Sequence, residues 1–168
     1  NVLVPHLQRF VDKIEVRILK RGYYPKGGGE VEVKITPRFK LSEFDTFELF
    51  WQNLQSKCAK INLIEQGKVE QVRGVINLSA ELEEKNVAER IRKVIADTLR
   101  PLQAPVNIRI EYVHSLSVGG EVILWAVCSQ NEKVDFDNPV MLGSDCLLEP
   151  GKRSEDIGKE AAQRLLQE

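Results

Sequence analysis

Apolar and polar residues alternate along several short stretches of the chain, and this pattern predicts β-strands. The alternation is clear in residues 14–18, 31–35 and 106–112, so each stretch is expected to bury one face. Residues 122–127 are almost continuously apolar, which is typical of a central strand covered on both faces. Further strands are expected from apolar runs at residues 60–63, 69–78 and 140–148.

Apolar residues at helical spacing predict helices between these strands. Three stretches have such a stripe: residues 3–11, 87–99 and 154–166. Asn86 with Glu89 three residues later predicts a capping box, and Ser154 predicts a second N-cap. Gly158 inside the last helix lowers helix propensity, so we expect it at a close packing contact. The aromatic crowding of residues 44–51 predicts a short helix packed under the neighbouring sheet.

The connection between the first two strands is rich in glycine and flanked by cations. Residues 21–29, which we call the glycine turn, read Arg-Gly-Tyr-Tyr-Pro-Lys-Gly-Gly-Gly. Successive glycines indicate positive φ or the close approach of another segment. Neither a P-loop nor a dinucleotide fingerprint fits, because no Gly-Lys-Ser/Thr follows and the next element is a strand. A wide hairpin turn with solvated lysines also explains the segment, and this alternative stays open.

Composition and charge narrow the possible partners and compartments. The net charge of the 168 residues is -1, so any nucleic-acid contact must come from a local cluster of cations. The three cysteines lack metal-ligand spacing, which favours reduced thiols in a cytoplasmic compartment, or a nuclear one in a eukaryote. No apolar run approaches the roughly 20 residues of a membrane span, so no membrane partner is expected. The chain opens on Asn1, and we expect it to be part of a longer protein.

The residues from Arg21 to Val31 resemble the signature of the RNA 3'-terminal phosphate cyclases. The matching positions are Arg21, Gly22, Pro25, Gly27, Gly28, Gly29 and Val31. Later segments resemble the same family in the same order: Leu63, Gly67, Arg73 and Gly74, then residues 117–120 and 122–126, then Gly143, Ser144, Leu147, residues 151–153, Glu155, Gly158 and residues 160–162. The matches leave out residues 40–58, which we interpret as an insertion.

The resemblance implies a two-part α/β (α+β) fold, a mixed-sheet sandwich. Residues 1–37 are expected to finish one βαβαββ repeat of a larger catalytic domain. Residues 38–168 are expected to form the small inserted α/β domain, of thioredoxin-like topology. The order of elements agrees with this, since it predicts a four- or five-stranded sheet with two helices.

The resemblance also implies an activity. Family members convert an RNA 3'-phosphate to a 2',3'-cyclic phosphate with ATP and Mg or Mn, through an adenylylated histidine and an RNA-adenylate. Neither His6 nor His114 matches the position of that histidine, which is expected beyond Glu168. We therefore predict that this chain contains no catalytic residue and no metal site, and that by itself it is inactive.

Four cations are the predicted contacts to the RNA 3'-phosphate end. Arg21 and Lys26 of the glycine turn come first, and Lys152 with Arg153 before the last helix comes second. The glycines and Pro25 are assigned to turn geometry. Ordinary exposed cations remain an alternative for all four, because such residues are common on surfaces.

Three other functions stay open at this point. A non-catalytic relative that binds RNA or protein during ribosome assembly would carry the same signature. An enolpyruvyl transferase shares the βαβαββ repeat but not the glycine-turn pattern. An unrelated α/β binding module would require the matches to be coincidence.

Overall fold

Strands and helices alternate along the chain in two separate sheets. The computed structural model describes residues 2–57, 65–129 and 140–168. Its helices are α1 (Leu3–Leu7), α2 (Phe47–Lys57), α3 (Val87–Leu99) and α4 (Ser154–Gln167). Its strands are β1 (Val11–Lys20), β2 (Glu30–Pro37), β3 (Lys68–Ser79), β4 (Val106–Val113), β5 (Gly120–Ser129) and β6 (Val140–Leu147). The predicted mixed α/β class is confirmed.

The first sheet is the predicted hairpin of β1 and β2. The strands are antiparallel, with Val16 opposite Val33 and Ile18 opposite Val31. Side chains alternate across a strand, so these four share one apolar face, while the other face carries ion pairs such as Arg17 with Glu32. The apolar face is about half exposed: Ile18 retains 52% of its surface and Val31 57%.

The second sheet has the strand order β4-β3-β5-β6. β3 and β4 are parallel and joined through α3, whereas β5 is antiparallel to β3 and β6 is antiparallel to β5. A parallel βαβ unit followed by an antiparallel pair and a final helix is the thioredoxin-like arrangement that the family resemblance implies.

The core lies between this sheet and the helix pair α3 and α4. Val72, Ile76 and Leu78 of β3 have no exposed surface, and neither do Ile91 and Ile95 of α3. Ile157, Ala161 and Leu165 of α4 complete the same cluster. The predicted apolar stripes of α3 and α4 therefore pack on one face of the sheet, as the apolar face of an amphipathic helix does.

The expectation that the central strand is covered on both faces was wrong. In β5 the residues alternate between full and partial burial, with Val122, Leu124 and Ala126 in the core and Ile123 and Trp125 partly exposed. Both long helices pack on one face, whereas the other face borders a groove shared with β1, lined by Val75 and Ile123 of the sheet and by Val16 of the hairpin. A continuous apolar run therefore did not mean two covered faces.

Asn86 is the N-cap of α3 as predicted, but the predicted capping box is absent, and the N-cap predicted at Ser154 was wrong. Asn86 precedes α3, but its φ is 51° and its side chain makes no capping bond. The preceding 3₁₀ turn, Ala80–Lys85, ends on the same residue, and the left-handed conformation of that junction replaces the extended one that a capping side chain needs. Ser154 is the first residue of α4 rather than its cap, and Arg153 occupies the cap position.

Three further predictions concerned the end of α1, the packing of the aromatic helix and a strand at residues 60–63. The N-terminal helix ends at Leu7 instead of Val11, because Val11 already pairs with Pro37 in the hairpin. The aromatic helix exists as α2, but it is not under a sheet: Phe47 keeps 58% of its surface and Trp51 47%. The predicted strand at residues 60–63 lies outside the described residues.

In the described part of the chain, no helix has the length and apolar character that crossing a membrane requires.

Candidate nucleic-acid interface

The glycine turn has the backbone that its sequence requires. Gly27 and Gly28 have φ of 65° and 81°, in the region that residues with a Cβ avoid. The N–H of Gly27 donates to the carbonyl of Tyr23 at 2.9 Å, which closes the turn. A Cβ on Gly22 would overlap the backbone of Gly27 and Gly29, so these two sides of the turn touch with no room for a side chain.

The turn lies against the β4–β5 turn, residues 114–119. The backbone N–H of Lys26 donates to Ser117 Oγ at 3.1 Å. A Cβ on Gly28 would lie 2.8 Å from Leu116 Cδ1, and one on Gly119 would lie 2.9 Å from Tyr23 Cδ1. The glycines therefore serve close approach as well as positive φ, because each turn meets a side chain of the other.

Arg21 forms an ion pair with Glu121 where the glycine turn meets the four-stranded sheet. Its Nη1 donates to Glu121 Oε1, and Asn77 Nδ2 donates to the same oxygen at 2.9 Å. The side chains of Arg21 and Glu121 keep only 19% and 21% of their surface. Burial raises the pKa of the neighbouring Tyr23, and the Glu121 carboxylate raises it further. Of the predicted RNA contacts, Arg21 thus already has a carboxylate partner, with which a phosphate would have to compete.

Lys152 and Arg153 stand at the start of α4. Lys152 Nζ pairs with Glu160, whose hydrogen bond raises the pKa of the lysine. Arg153 is exposed, and within the described ranges no carboxylate lies within ion-pair distance of it. A groove of about 330 Å³ lies between the two residues and the start of α3, where Arg90 Nε pairs with Glu155 at 3.1 Å.

The topology brings both pairs of cations to one end of the four-stranded sheet. The N–H of Ser79, which ends β3, donates to Gly119 O, and the N–H of Leu148, after β6, donates to Gly120 O. The glycine turn contacts the β4–β5 turn at this end, and α3 and α4 both begin there. Helix N-termini carry partial positive charge, which adds to the cations. Carboxylates such as Glu149 and Glu155 are interleaved with them, so the surface is mixed in charge.

Sequence reasoning missed Asn77 and Glu121, and it named Ser117 only as part of the family resemblance. Asn77 offers one signal, since an amide in the middle of an apolar strand needs a hydrogen-bond partner when buried. Glu121 and Ser117 give no such signal in the sequence, because a glutamate after two glycines and a serine in a loop are common and need no special partner. Only the register, which sets Asn77 opposite Glu121, brings them together.

The two histidines do not take part in this contact between the turns. His6 lies on α1, and its Nδ1 is buried without a hydrogen-bond partner, while His114 begins the β4–β5 turn. Over residues 2–57, 65–129 and 140–168, no three His, Cys, Asp or Glu side chains cluster as metal ligands would.

A sequence profile of the RNA 3'-terminal phosphate cyclase (RTC) insert domain matches residues 64–168. The chain belongs to the RNA 3'-terminal phosphate cyclase family. It is similar to the RNA 3'-terminal phosphate cyclases of Pyrococcus furiosus, at 32% identity over 99% of this chain and 40% of the relative, and of Pyrococcus abyssi, at 33% over 100% and 41%. The cyclase of Ignicoccus hospitalis is 32% identical over 99% of this chain and 41% of its own length.

The chain spans about 40% of the length of these cyclases. The similarity covers the hairpin with the glycine turn as well as the four-stranded sheet, since it extends over nearly all of the chain. The family similarity thus extends from the Arg21–Val31 signature over both sheets.

Proposed function

We propose that this chain is the central part of an RNA 3'-terminal phosphate cyclase, which converts an RNA 3'-phosphate to a 2',3'-cyclic phosphate with ATP. The observation that carries the proposal is the similarity to proteins of that name over 99% of the chain, with the glycine-turn signature intact. As in the sequence-based expectation, the adenylylated histidine would lie beyond Glu168 and the chain alone would be inactive.

We propose that ATP and its divalent metal, Mg or Mn, are bound mainly by other parts of the full-length protein, as the resemblance to the cyclase family implies. When bound, ATP supplies the AMP leaving group that a phosphate monoester lacks. The part assigned to this chain is to hold the RNA.

Lys26 and Arg153 are the strongest proposed phosphate contacts. Both are exposed, and the described part of the chain offers neither a carboxylate within ion-pair distance. Lys152 and Arg21 belong to the same end of the sheet but already pair with Glu160 and Glu121. A phosphate therefore meets less competition at Lys26 and Arg153.

The proposed domain division follows the two sheets. Residues 1–37 hold the hairpin, whose half-exposed apolar face suits packing against further catalytic-domain structure. Residues 38–168 would be the inserted domain, which the profile match over residues 64–168 supports. Cys128 and Cys146 are unpaired and buried, which supports a reducing compartment, the cytoplasm or, in a eukaryote, the nucleus.

The activity is tested on the full-length protein with an oligoribonucleotide ending in a 3'-phosphate, ATP and Mg²⁺. We expect the terminal phosphate to become resistant to phosphatase, and an oligonucleotide with a 3'-hydroxyl to remain unchanged. Labelled ATP should mark the full-length protein and not residues 1–168 alone. RNA binding without cyclisation would instead support the non-catalytic relative.

A further inference from the structure

We propose that Glu121 and Asn77 are positioning residues, which hold Arg21 and so fix the glycine turn where Lys26 meets RNA. The inference rests on the proposed function for its RNA readout but on the geometry alone for the contact. Arg21 then acts by holding the turn in place rather than by touching RNA.

Burial sets Arg21 apart from the other cations of the hairpin. Its side chain is 19% exposed, whereas that of Arg17 is 59% and that of Lys20 is 70%. A charge withdrawn from water needs a partner of opposite charge, and Glu121, itself 21% exposed, supplies it. Charged hydrogen bonds of this kind are stronger than those of exposed pairs.

Asn77 anchors the carboxylate to the core. It stands directly opposite Glu121 on the neighbouring strand, has no exposed surface and donates to Glu121 Oε1 at 2.9 Å. The flanking residues Ile76 and Leu78 are fully buried. The acceptor for Arg21 is therefore held by a residue in the fully buried part of β3.

A second point of attachment fixes the turn at Lys26. The N–H of Lys26 donates to Ser117 Oγ, and the Ser115 hydroxyl donates to the carbonyl of Ser117 at 2.9 Å. Between the two attachments, the ring of Tyr23 packs on Gly119. Contacts at both ends of the turn define its orientation on the sheet, so losing the first changes where Lys26 stands.

Direct contact and positioning predict opposite effects of Glu121→Gln. If Arg21 binds RNA directly, loss of the competing carboxylate frees its charge, and RNA binding becomes tighter. If Arg21 positions the turn, loss of the carboxylate weakens RNA binding, as Arg21→Met does. Arg17→Met is the matched control, because it removes an exposed arginine from the same hairpin.

The experiment measures binding of the full-length protein to a 3'-phosphorylated oligoribonucleotide by fluorescence anisotropy. We expect Arg21→Met and Glu121→Gln each to weaken binding about three- to tenfold, and Arg17→Met to change it less than about twofold. Lys26→Ala should weaken binding less in the Arg21→Met background than in the wild type, because Lys26 is already displaced. The exchanged pair Arg21→Glu with Glu121→Arg should recover part of the loss.

Hydrogen exchange of the same variants measures the contact without RNA. In Arg21→Met and Glu121→Gln, the amides of residues 26 and 119 should exchange faster, and those of β3 should not. Arg21→Lys, which keeps the charge, should give a smaller change. Tighter or unchanged RNA binding by Glu121→Gln, or unchanged exchange at both amides, overturns the inference. If the wild type binds no RNA, the proposed function fails, and hydrogen exchange alone decides whether the contact holds the turn.

Discussion

Gly119 packs against the side chain of Tyr23, across the contact between the two turns. A Cβ added at Gly119 would lie 2.6 Å from Tyr23 Cβ and 2.9 Å from Cδ1, closer than carbon atoms approach one another. The contact between the hairpin and the four-stranded sheet therefore requires a residue without a side chain at position 119.

Gly119→Ala should loosen this contact. The methyl group must displace the Tyr23 ring, and overpacking of this kind costs about 1–3 kcal/mol of unfolding free energy. Urea unfolding of the full-length protein measures the loss. In a Tyr23→Ala background the ring is absent, so the same substitution should cost less; an equal cost in both backgrounds would show that the ring is not the obstacle.

Lys26→Ala and Arg153→Ala should weaken RNA binding more at low salt than at high salt. Each lost phosphate contact on single-stranded RNA should reduce the slope of log K against log salt by about 0.7. Binding titrations between low and moderate salt give the slope. Lys20→Ala is the control, since Lys20 lies on the same hairpin and pairs with Glu30 at 3.4 Å. A slope change as large for Lys20 as for Lys26 would contradict a specific contact.

Tyr23→Phe should make the protein more tolerant of alkaline pH. Burial raises the pKa of Tyr23 above its usual value, so above about pH 10 the unfolded chain loses the phenol proton first and unfolding becomes easier. The stability held below that pH is therefore lost as pH rises toward the folded-state pKa. Phenylalanine has no such proton, and the buried Tyr23 hydroxyl has no hydrogen-bond partner to lose among the described residues. Unfolding free energies at pH 8 and pH 11 test this: the pH-dependent decrease should be smaller in the variant, and an equal decrease would refute it.

Gly158→Ala should destabilise the protein despite its higher helix propensity. A Cβ there would lie 3.1 Å from both Ile91 Cγ2 and the Ile91 carbonyl oxygen on α3. Alanine gains about 1 kcal/mol in propensity, but displacing a backbone oxygen costs more, so we expect a net loss of about 1 kcal/mol. Thermal unfolding measures it, with the exposed Lys159→Ala as the control. A gain in stability would contradict this prediction, because it would show that α3 and α4 can move apart at Gly158 at little cost.

The secondary structure was largely predictable because it depends on local periodicity. The alternation in residues 14–18 and 31–35 predicted the hairpin, and the stripe from Val87 to Leu99 predicted α3. The contact predicted at Gly158 is confirmed by its approach to Ile91. The cap position at Asn86 was predicted correctly, but its capping bond was not, because the left-handed conformation of Asn86 is set by the 3₁₀ turn before it.

The sequence by itself determined the strands, the helices, the glycine turn and the family resemblance, because each rests on residues close together in the chain. Only the tertiary structure decided that Arg21 faces Glu121, that α2 stays exposed and that both sets of cations share one end of a sheet. Arg21 and Glu121 are 100 residues apart, and the strand register that joins them is set by burial of the entire β3–β5 pair. No local pattern contains that information, because the hydrophobic effect rewards total buried area and leaves the polar pairings to the geometry that results.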